Sequence, residues 1–279
     1  MAQASSSSGP LYPVNGFDVA ALTGATVVIP AVSLGNVPQL TADLLVASLG
    51  LRRVAFLGRG DTVAPFAGRG EDGVVTGGLE LYGNDGKVFV LMQRAPTLKS
   101  KKDAHIELIA SLVKTYRVGL ALVLASLDAA NQDDAQLLTP HQAVLPPGAA
   151  TNPVLERLAH LPALKLTLET TPPHHAPHPS LSSLARPRAA STVYPPFLPG
   201  AGLTRRVLGA LADTAVPSGA VTAWVVEGDN RGDAHALAGV ALQILGVETE
   251  IVEPASWAGL FGPGQGWSGG SSMDAEIYG

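Results

Sequence analysis

The sequence predicts an α/β fold: a single domain in which helices cover both faces of a mixed, mostly parallel sheet. Three runs of residues, 25–32, 118–125 and 220–226, are apolar almost without interruption and contain β-branched side chains. Such runs are typical of strands that are buried on both faces. Stretches with helical periodicity separate the runs, and parallel strands need crossovers of this kind.

The first predicted unit begins with the strand at 25–32. After a turn, Asn36 is placed to cap a helix, with Pro38 in its first turn and Gln39 positioned to reach back. An apolar stripe at helical spacing follows, and residues 52–57 form a second strand. The pattern therefore predicts a βαβ unit whose two strands pair in parallel through a right-handed crossover.

Residues 79–82 and 87–93 flank a Gly-Asn-Asp-Gly turn, which predicts a β-hairpin and makes the sheet mixed. The remaining elements follow from apolar periodicity and from the turn residues that bound it. They are helices at 101–116, 153–160, 203–212 and about 233–245, strands at 118–125, 220–226 and 247–252, and a helical turn within 254–261 that closes the domain.

Composition divides the chain into one domain, an insertion and two flexible ends. Residues 17–262 carry the predicted elements and are expected to form the domain. Within it, residues from about 139 to 199 include a stretch dense in Pro, His and Ser, which predicts a low-complexity insertion. The Ser-rich residues 1–16 and the Gly/Ser-rich tail 263–279 have too little apolar surface to order themselves.

The bulk composition argues against several classes of partner. The net charge of −5 and the isoelectric point near 5.8 argue against nucleic acid and anionic membranes. The chain has no cysteine, which excludes disulfides, thiolate metal sites and cysteine nucleophiles. The sequence shows no signal pattern and no apolar run of about 18 residues, so we expect a cytoplasmic and nuclear protein without a membrane partner.

Three motifs that resemble catalytic or binding sites lack the context that such sites need. The GWSGG sequence at 266–270 matches a nucleophile elbow, but it has no preceding strand and no downstream histidine. Gly58 and Gly60 follow a strand as a dinucleotide loop would, yet Val63 replaces the third glycine. The histidines at 174–178 have no nearby carboxylate to complete a metal site. We therefore expect no catalytic residue, no metal and no cofactor.

Two turns have both a structural and a ligand-binding interpretation. Glu227, Asp229 and Asn230 follow the strand at 220–226, at the edge where open α/β sheets bind ligands. A site there would make the chain a nucleoside- or nucleotide-binding enzyme. In the structural alternative, Asp229 or Asn230 caps the next helix. The glycines at 200–202 could likewise cradle an anion or let a helix pack closely.

The chain ends in Ile277, Tyr278 and Gly279, and the last of these carries a free carboxylate. A hydrophobe and a tyrosine at the tip of a Gly/Ser-rich tail are best explained as a plug for a pocket on another protein. The ending resembles the hydrophobe-Tyr-any pattern with which proteasome activators and assembly factors dock on the proteasome α-ring. The sequence therefore predicts that these three residues bind a partner.

Four blocks of sequence, in order, resemble the proteasome assembly chaperone 2 family. The first lies at 30–44 and begins PAVSLGNV, and the second is GAGLTR at 200–205. The third is EGDN at 227–230, and the fourth lies at 254–262 and contains PASW and LFG. The segment 139–199 shows no such resemblance and looks like an expansion specific to this lineage.

The resemblance implies a binding protein and not an enzyme. Members of the family pair with proteasome assembly chaperone 1, and the heterodimer sits on the outer face of the α-ring while the core particle assembles. Their fold resembles a nucleoside-phosphorylase-like sandwich without the enzyme's site. On this basis, we expect Ile277 and Tyr278 to insert between adjacent α subunits and the Gly279 carboxylate to pair with a lysine there.

Overall fold

A computed structural model describes residues 9–14, 16–70, 73–149, 152–166 and 194–259. The strands in these ranges are β1 (Leu11–Pro13), β2 (Thr26–Pro30), β3 (Arg52–Leu57), β4 (Ala67–Arg69), β5 (Val75–Gly77), β6 (Leu79–Gly83), β7 (Val88–Gln93), β8 (Leu120–Asp128), β9 (His141–Val144) and β10 (Ser218–Val225). The α-helices are α1 (Val37–Ser48), α2 (Lys102–Thr115), α3 (Pro153–Leu158), α4 (Thr204–Ala212) and α5 (Arg231–Leu245).

Eight of the strands form one sheet, in the order β1-β3-β6-β7-β2-β8-β10-β9. Strands β2, β3, β7, β8 and β10 run in one direction, whereas β1, β6 and β9 run in the other. Strands β4 and β5 form a separate antiparallel pair. The predicted fold class, an α/β domain with a mixed and mostly parallel sheet, is therefore confirmed.

Helices cover both faces of the sheet, as the buried strands require. Along β8, Ala121, Val123 and Ala125 belong to an apolar cluster shared with α2 and α4. Leu122 and Leu124 point to the other face and belong to a cluster shared with α1, α3 and α5. Because successive side chains of a strand alternate between faces, a strand this apolar must be covered on both sides.

The predicted pairing of β2 with β3 is wrong. The two strands do run in the same direction, but β6 and β7 lie between them. Strand β2 pairs in parallel with β7 and β8, whereas β3 pairs antiparallel with β1 and β6. The physical reason is the β6–β7 hairpin, which enters the sheet as a unit between β3 and β2.

The helix cap predicted at Asn36 is also absent. Asn36 has a left-handed backbone (φ 52°), and its side chain makes no capping hydrogen bond with α1. The side-chain amide of Gln39 donates to the carbonyl oxygen of Pro30, at 3.4 Å, and does not reach back to the helix start. The tight turn that brings the chain from β2 into α1 sets this geometry, with Gly35 also in the left-handed region (φ 65°).

Residues 247–252, predicted as a last strand, form no strand. Together with the short helical turn Ala255–Trp257 they make up what we call the closing segment, residues 247–259. The backbone amide of Val252 donates to the hydroxyl of Ser48 (2.9 Å), and Ile251 packs in a cluster with α1 and α5. The segment is thus held against helices on one face of the sheet and does not extend the sheet as a strand.

Strands β1, β4, β5 and β9 were not predicted. Of these, β1 and β9 each occupy one edge of the eight-stranded sheet, and β4 and β5 form the separate pair. Strand β1 lies within the N-terminal 1–16, and β9 lies within the segment 139–199 that was expected to be an insertion. The short helix predicted in that segment is confirmed as α3. Leu164 and Tyr194 line one cavity of about 250 Å³ on the face covered by α4. The residues between them from 167 to 193 lie outside the described part.

Glu80 of β6 joins β3, the β4–β5 pair and β6 through one buried carboxylate. It accepts hydrogen bonds from Arg53 (2.8 Å), the hydroxyls of Thr76 (2.5 Å) and Tyr82 (3.0 Å), and the amide of Gly77 (2.9 Å). Arg53 also lies 4.9 Å from the centre of the Phe56 ring. Every oxygen of the buried charge therefore has partners, which is what makes its burial tolerable.

Replacing Glu80 by alanine should lower the free energy of unfolding by about 3–5 kcal/mol, because Arg53 would lose its counter-charge and three other donors their acceptor. Chemical denaturation followed by circular dichroism measures this loss. The exposed Glu248 provides a matched control, and Glu248→Ala should change stability by less than about 0.5 kcal/mol. Similar stabilities for the two variants would contradict the role given to Glu80.

The buried His105 of α2 should make the stability of the domain depend on pH. Its Nδ1 lies 3.1 Å from the hydroxyl of Thr62, and burial lowers the pKa of His105 from 6.5 to about 4. As the pH falls, the imidazole of His105 is therefore protonated first in the unfolded chain. The folded state loses stability between about pH 6.5 and pH 4. From about pH 7 to pH 5 the loss amounts to about 2 kcal/mol.

The variant His105→Gln should lack this part of the pH dependence. Denaturation curves at the two pH values test the expectation. The exposed His160 supplies the control, since His160→Gln should keep the slope of the parent chain. An unchanged slope in His105→Gln would show that other groups cause the acid sensitivity.

Candidate functional site

The carboxyl ends of β2, β8 and β10 bring distant segments of the chain together at one edge of the sheet. Hydrogen bonds between backbone groups fix these segments: the amide of Leu34 donates to Gly200 (3.1 Å) and that of Asp128 to Pro199 (3.0 Å). The amide of Trp224 donates to Pro140 (3.0 Å). Three of the four sequence blocks, 30–44, 200–205 and 227–230, thus reach this edge, which we call the carboxyl edge.

Glycines allow these segments to approach one another closely. A Cβ atom on Gly202 (φ 56°) would lie 2.3 Å from the carbonyl oxygen of Val32, and one on Gly200 (φ 74°) would lie 3.0 Å from the amide nitrogen of Asp128. The space beside Gly202 is therefore filled by an oxygen atom, which would repel an anion. Of the two interpretations of 200–202, the structure favours close packing of α4 over an anion cradle.

Two serine hydroxyls lie at the centre of this edge, and both are used structurally. The hydroxyl of Ser126, which is fully buried, donates to the carbonyl oxygen of Leu34 (2.5 Å). Its oxygen lies 2.8 Å from the hydroxyl oxygen of Ser33, which also accepts a hydrogen bond from the Ser126 amide (3.0 Å). Among the described residues, no histidine is hydrogen-bonded to either hydroxyl, as a serine nucleophile would require. The pair instead ties the loop after β2 to β8.

The structure resolves the two interpretations of Glu227, Asp229 and Asn230. A carboxylate oxygen of Asp229 accepts a hydrogen bond from the amide of Arg231 (3.1 Å), in the first turn of α5. Asn230 is buried, and its side-chain amide donates to Gly228 (3.0 Å). Glu227 and Asp229 are exposed. Asn230, which stands at the N-cap position of α5, makes no side-chain capping hydrogen bond, whereas Asp229, one residue earlier, binds the first amide of the helix. Both side chains thus serve the turn before α5, as the structural interpretation expects.

A charged cluster that the sequence did not reveal lies beside this turn. Arg231 donates two hydrogen bonds to the carboxylate of Glu253, at 2.6 and 2.5 Å, and Nε2 of His235 lies 2.7 Å from the same carboxylate. The hydrogen bonds from Arg231 are the main cause of a lowered pKa of Glu253. Burial, together with the nearby charge of Asp229, raises the pKa of Asp233. The cluster fastens the closing segment to α5.

Trp257 completes this attachment. Its ring lies edge-on to that of His235, with centroids 6.4 Å apart, and it is buried against Ala234 and Ala238 of α5. The described chain ends two residues later, at Gly259. The predicted binding residues Ile277, Tyr278 and Gly279 lie outside the described residues, as do the GWSGG motif and the histidines at 174–178.

A cavity of about 640 Å³ lies at the end of the sheet formed by β1 and β3. Its walls are mainly apolar and include Tyr12, Phe56 and Phe66, with Arg59 as the charged member. The next element after Gly58 and Gly60 is β4, a strand, so these glycines do not open a helix that could bind a dinucleotide phosphate.

Within the ranges that the structure covers, no group of three or more His, Asp or Glu side chains is arranged to hold a metal ion. Among the helices of the same ranges, none has both the length and the apolar character needed to cross a membrane.

Comparison with known proteins places this arrangement in a family. Proteasome assembly chaperone 2 of Danio rerio is 30% identical over 272 residues, which cover 91% of this chain and 98% of that protein. The protein of the same name from Bos taurus is 26% identical, in a match that covers 91% of this chain and 98% of that protein. The sequence resemblance is thereby confirmed.

A solved structure supports the same placement at the level of the fold. Pyrococcus furiosus PbaA, described as an archaeal homolog of proteasome-assembly chaperone, has a TM-score of 0.59 at 13% identity, covering 86% of this chain and 89% of its own. Residues 27–223, which extend from β2 into β10, match the sequence pattern of the PAC2 family. The chain therefore belongs to the PAC2 family.

Proposed function

We propose that this chain is a proteasome assembly chaperone. Together with proteasome assembly chaperone 1 as a heterodimer, it binds the α-ring of the core particle and promotes its assembly. The observation that carries the proposal is the 30% identity, over nearly the full length of both chains, to a protein named proteasome assembly chaperone 2. We place the chain in the cytoplasm and nucleus, and its lack of cysteine is compatible with such reducing compartments.

The proposed activity is binding without turnover. At the carboxyl edge, where enzymes of similar architecture hold their ligands, the hydroxyls of Ser33 and Ser126 bind protein groups and Asp229 binds the first amide of α5. These contacts leave the described edge without a prepared catalytic arrangement. They favour the chaperone over the alternative of a nucleotide-binding enzyme near Glu227 and Asp229.

The tail supplies one attachment in this proposal. Ile277 enters a pocket between adjacent α subunits, Tyr278 stacks and donates its hydroxyl, and the Gly279 carboxylate pairs with a lysine. Burial of the Ile277 and Tyr278 side chains contributes about 2–3 kcal/mol each. Ordering the tail costs about 1–2 kcal/mol per fixed residue, which offsets much of this gain. The folded body and the partner subunit must therefore contribute to affinity.

Deleting residues 277–279 should weaken binding of the heterodimer to α-rings by about ten-fold or more, since both side-chain anchors and the carboxylate are lost. Titration of isolated α-rings, followed by biolayer interferometry, measures the change. A short peptide fused after Gly279 should weaken binding similarly, because the carboxylate is no longer terminal.

The control for this experiment is the same peptide fused before Met1, which leaves the tail intact and should preserve the affinity. If neither the deletion nor the C-terminal fusion changed the affinity for α-rings, the proposed role of the tail would be wrong. If the intact chain with its partner bound no α subunits, the proposed function itself would be wrong.

A further inference from the structure

The closing segment brings the end of the described chain back to the carboxyl edge. Helix α5 starts at that edge after β10 and ends at Gly246, whose left-handed backbone (φ 72°) reverses the chain. The closing segment then returns along α1 and α5, with Val252 bonded to Ser48 and Glu253 bonded to Arg231. Trp257 reaches the first turns of α5.

The position of Trp257 limits where the tail can act. The described chain ends at Gly259, two residues after Trp257, and 20 residues, 260–279, follow in the sequence. A coil of their Gly/Ser-rich composition has a root-mean-square length of about 25 Å. Helix α5 has 15 residues, so its other end is about 22 Å farther away. A pocket that receives the tail is therefore closest to surfaces at the carboxyl edge.

Exposed apolar side chains are present on loops at the carboxyl edge. Leu138 is 90% exposed, Val226 is 64% exposed and Leu137 is 63% exposed, and Phe197 is also exposed. The backbone bonds of Pro140 with Trp224 and of Pro199 with Asp128 hold their loops at the ends of β8 and β10. Grouped exposure of this kind marks surfaces that bind other proteins.

Carboxylates accompany these apolar side chains. Asp133, Asp134, Glu227 and Asp229 are all exposed, and they lie on two of the same loops, the one with Leu137 and Leu138 and the one with Val226. With Leu137, Leu138, Phe197 and Val226, they define what we call the apolar-acidic face. Such a face suits a partner surface that combines apolar patches with basic side chains.

We propose that the apolar-acidic face lies against the outer surface of the α-ring, beside the pocket that receives the tail. This inference rests on the proposed function and adds the part of the folded body that makes the contact. The lysine expected to meet the Gly279 carboxylate would place basic charge next to this face. The face and the end of the tail are both negatively charged, so both suit the same basic partner surface. Because the closing segment fixes the chain at Trp257 to the folded body, the apolar-acidic face and the tail act together as a bivalent attachment.

Two variants of the face should weaken binding of the full-length heterodimer to α-rings. Leu137→Ser combined with Leu138→Ser removes exposed apolar surface and should raise the dissociation constant about ten-fold. Glu227→Lys should slow association about three-fold or more at low salt, with the difference shrinking at high salt.

Matched controls lie elsewhere on the surface. Val75→Ser removes another exposed apolar side chain (65% exposed), and Asp85→Lys reverses an exposed acid in the turn between β6 and β7, at the opposite edge of the sheet. Both should leave the dissociation constant within about two-fold of the parent value. Equal losses in the face and control variants would overturn the inference.

Deletion of 277–279 separates this inference from the proposed function. If the deletion weakens ring binding and the face variants do not, the inference fails while the proposed function stands. If the face variants weaken ring binding and the deletion does not, the face is supported and tail docking fails. If the face variants disrupt pairing with proteasome assembly chaperone 1 and leave ring binding by the remaining heterodimer unchanged, the face belongs to that interface and the inference is overturned.

A footprint tests the same contact in chains that keep the face nearly intact. Because the natural chain has no cysteine, Glu227→Cys and Asp85→Cys each introduce a single thiol. Addition of α-rings should slow alkylation of the thiol at 227 about ten-fold and leave the thiol at 85 unaffected. Equal alkylation of the thiol at 227 with and without saturating α-rings would contradict the proposal.

Discussion

The burial of β2, β8 and β10 on both faces is the constraint on which the rest of the structure depends. These neighbouring strands are parallel, so no short turn can join them and the chain must cross over between them. The crossovers supply the helices that both apolar faces need. They also force every loop after these strands to the same edge. Segments that are about 200 residues apart in sequence, such as the turns at Gly35 and Asn230, thereby become neighbours.

At that edge, the polar groups serve the fold. Side-chain amides, hydroxyls and the Asp229 carboxylate bind neighbouring backbone groups, and glycines let the backbones approach where a ligand would otherwise sit. What remains available to a partner is the exposed rim of the loops and the chain that leaves Trp257. An architecture associated with small-molecule clefts is thus compatible with recognition by an outer surface.

Local sequence features predicted most elements, because apolar runs and helical stripes report burial directly. β1 was missed because it has three residues, of which only Leu11 is buried. β9 was missed because its four residues stand in a Pro-rich context. The separation of β2 from β3 depends on where the β6–β7 hairpin inserts, which no local pattern encodes. The bond of Asp229 to the amide of Arg231 is local, and a structural role for this turn was anticipated as one of two interpretations. The ion pair of Arg231 with Glu253 spans 22 residues and depends on the path of the closing segment.

The shared cavity of Leu164 and Tyr194 has a practical consequence. The chain leaves one described range and enters the next at nearly the same place on the domain, although 27 residues, 167–193, separate the two ranges in sequence. Closing a longer loop between nearby ends adds little entropy cost, since the cost grows only with the logarithm of length. This position is therefore the natural point at which to graft a fluorescent reporter that leaves both chain termini unencumbered.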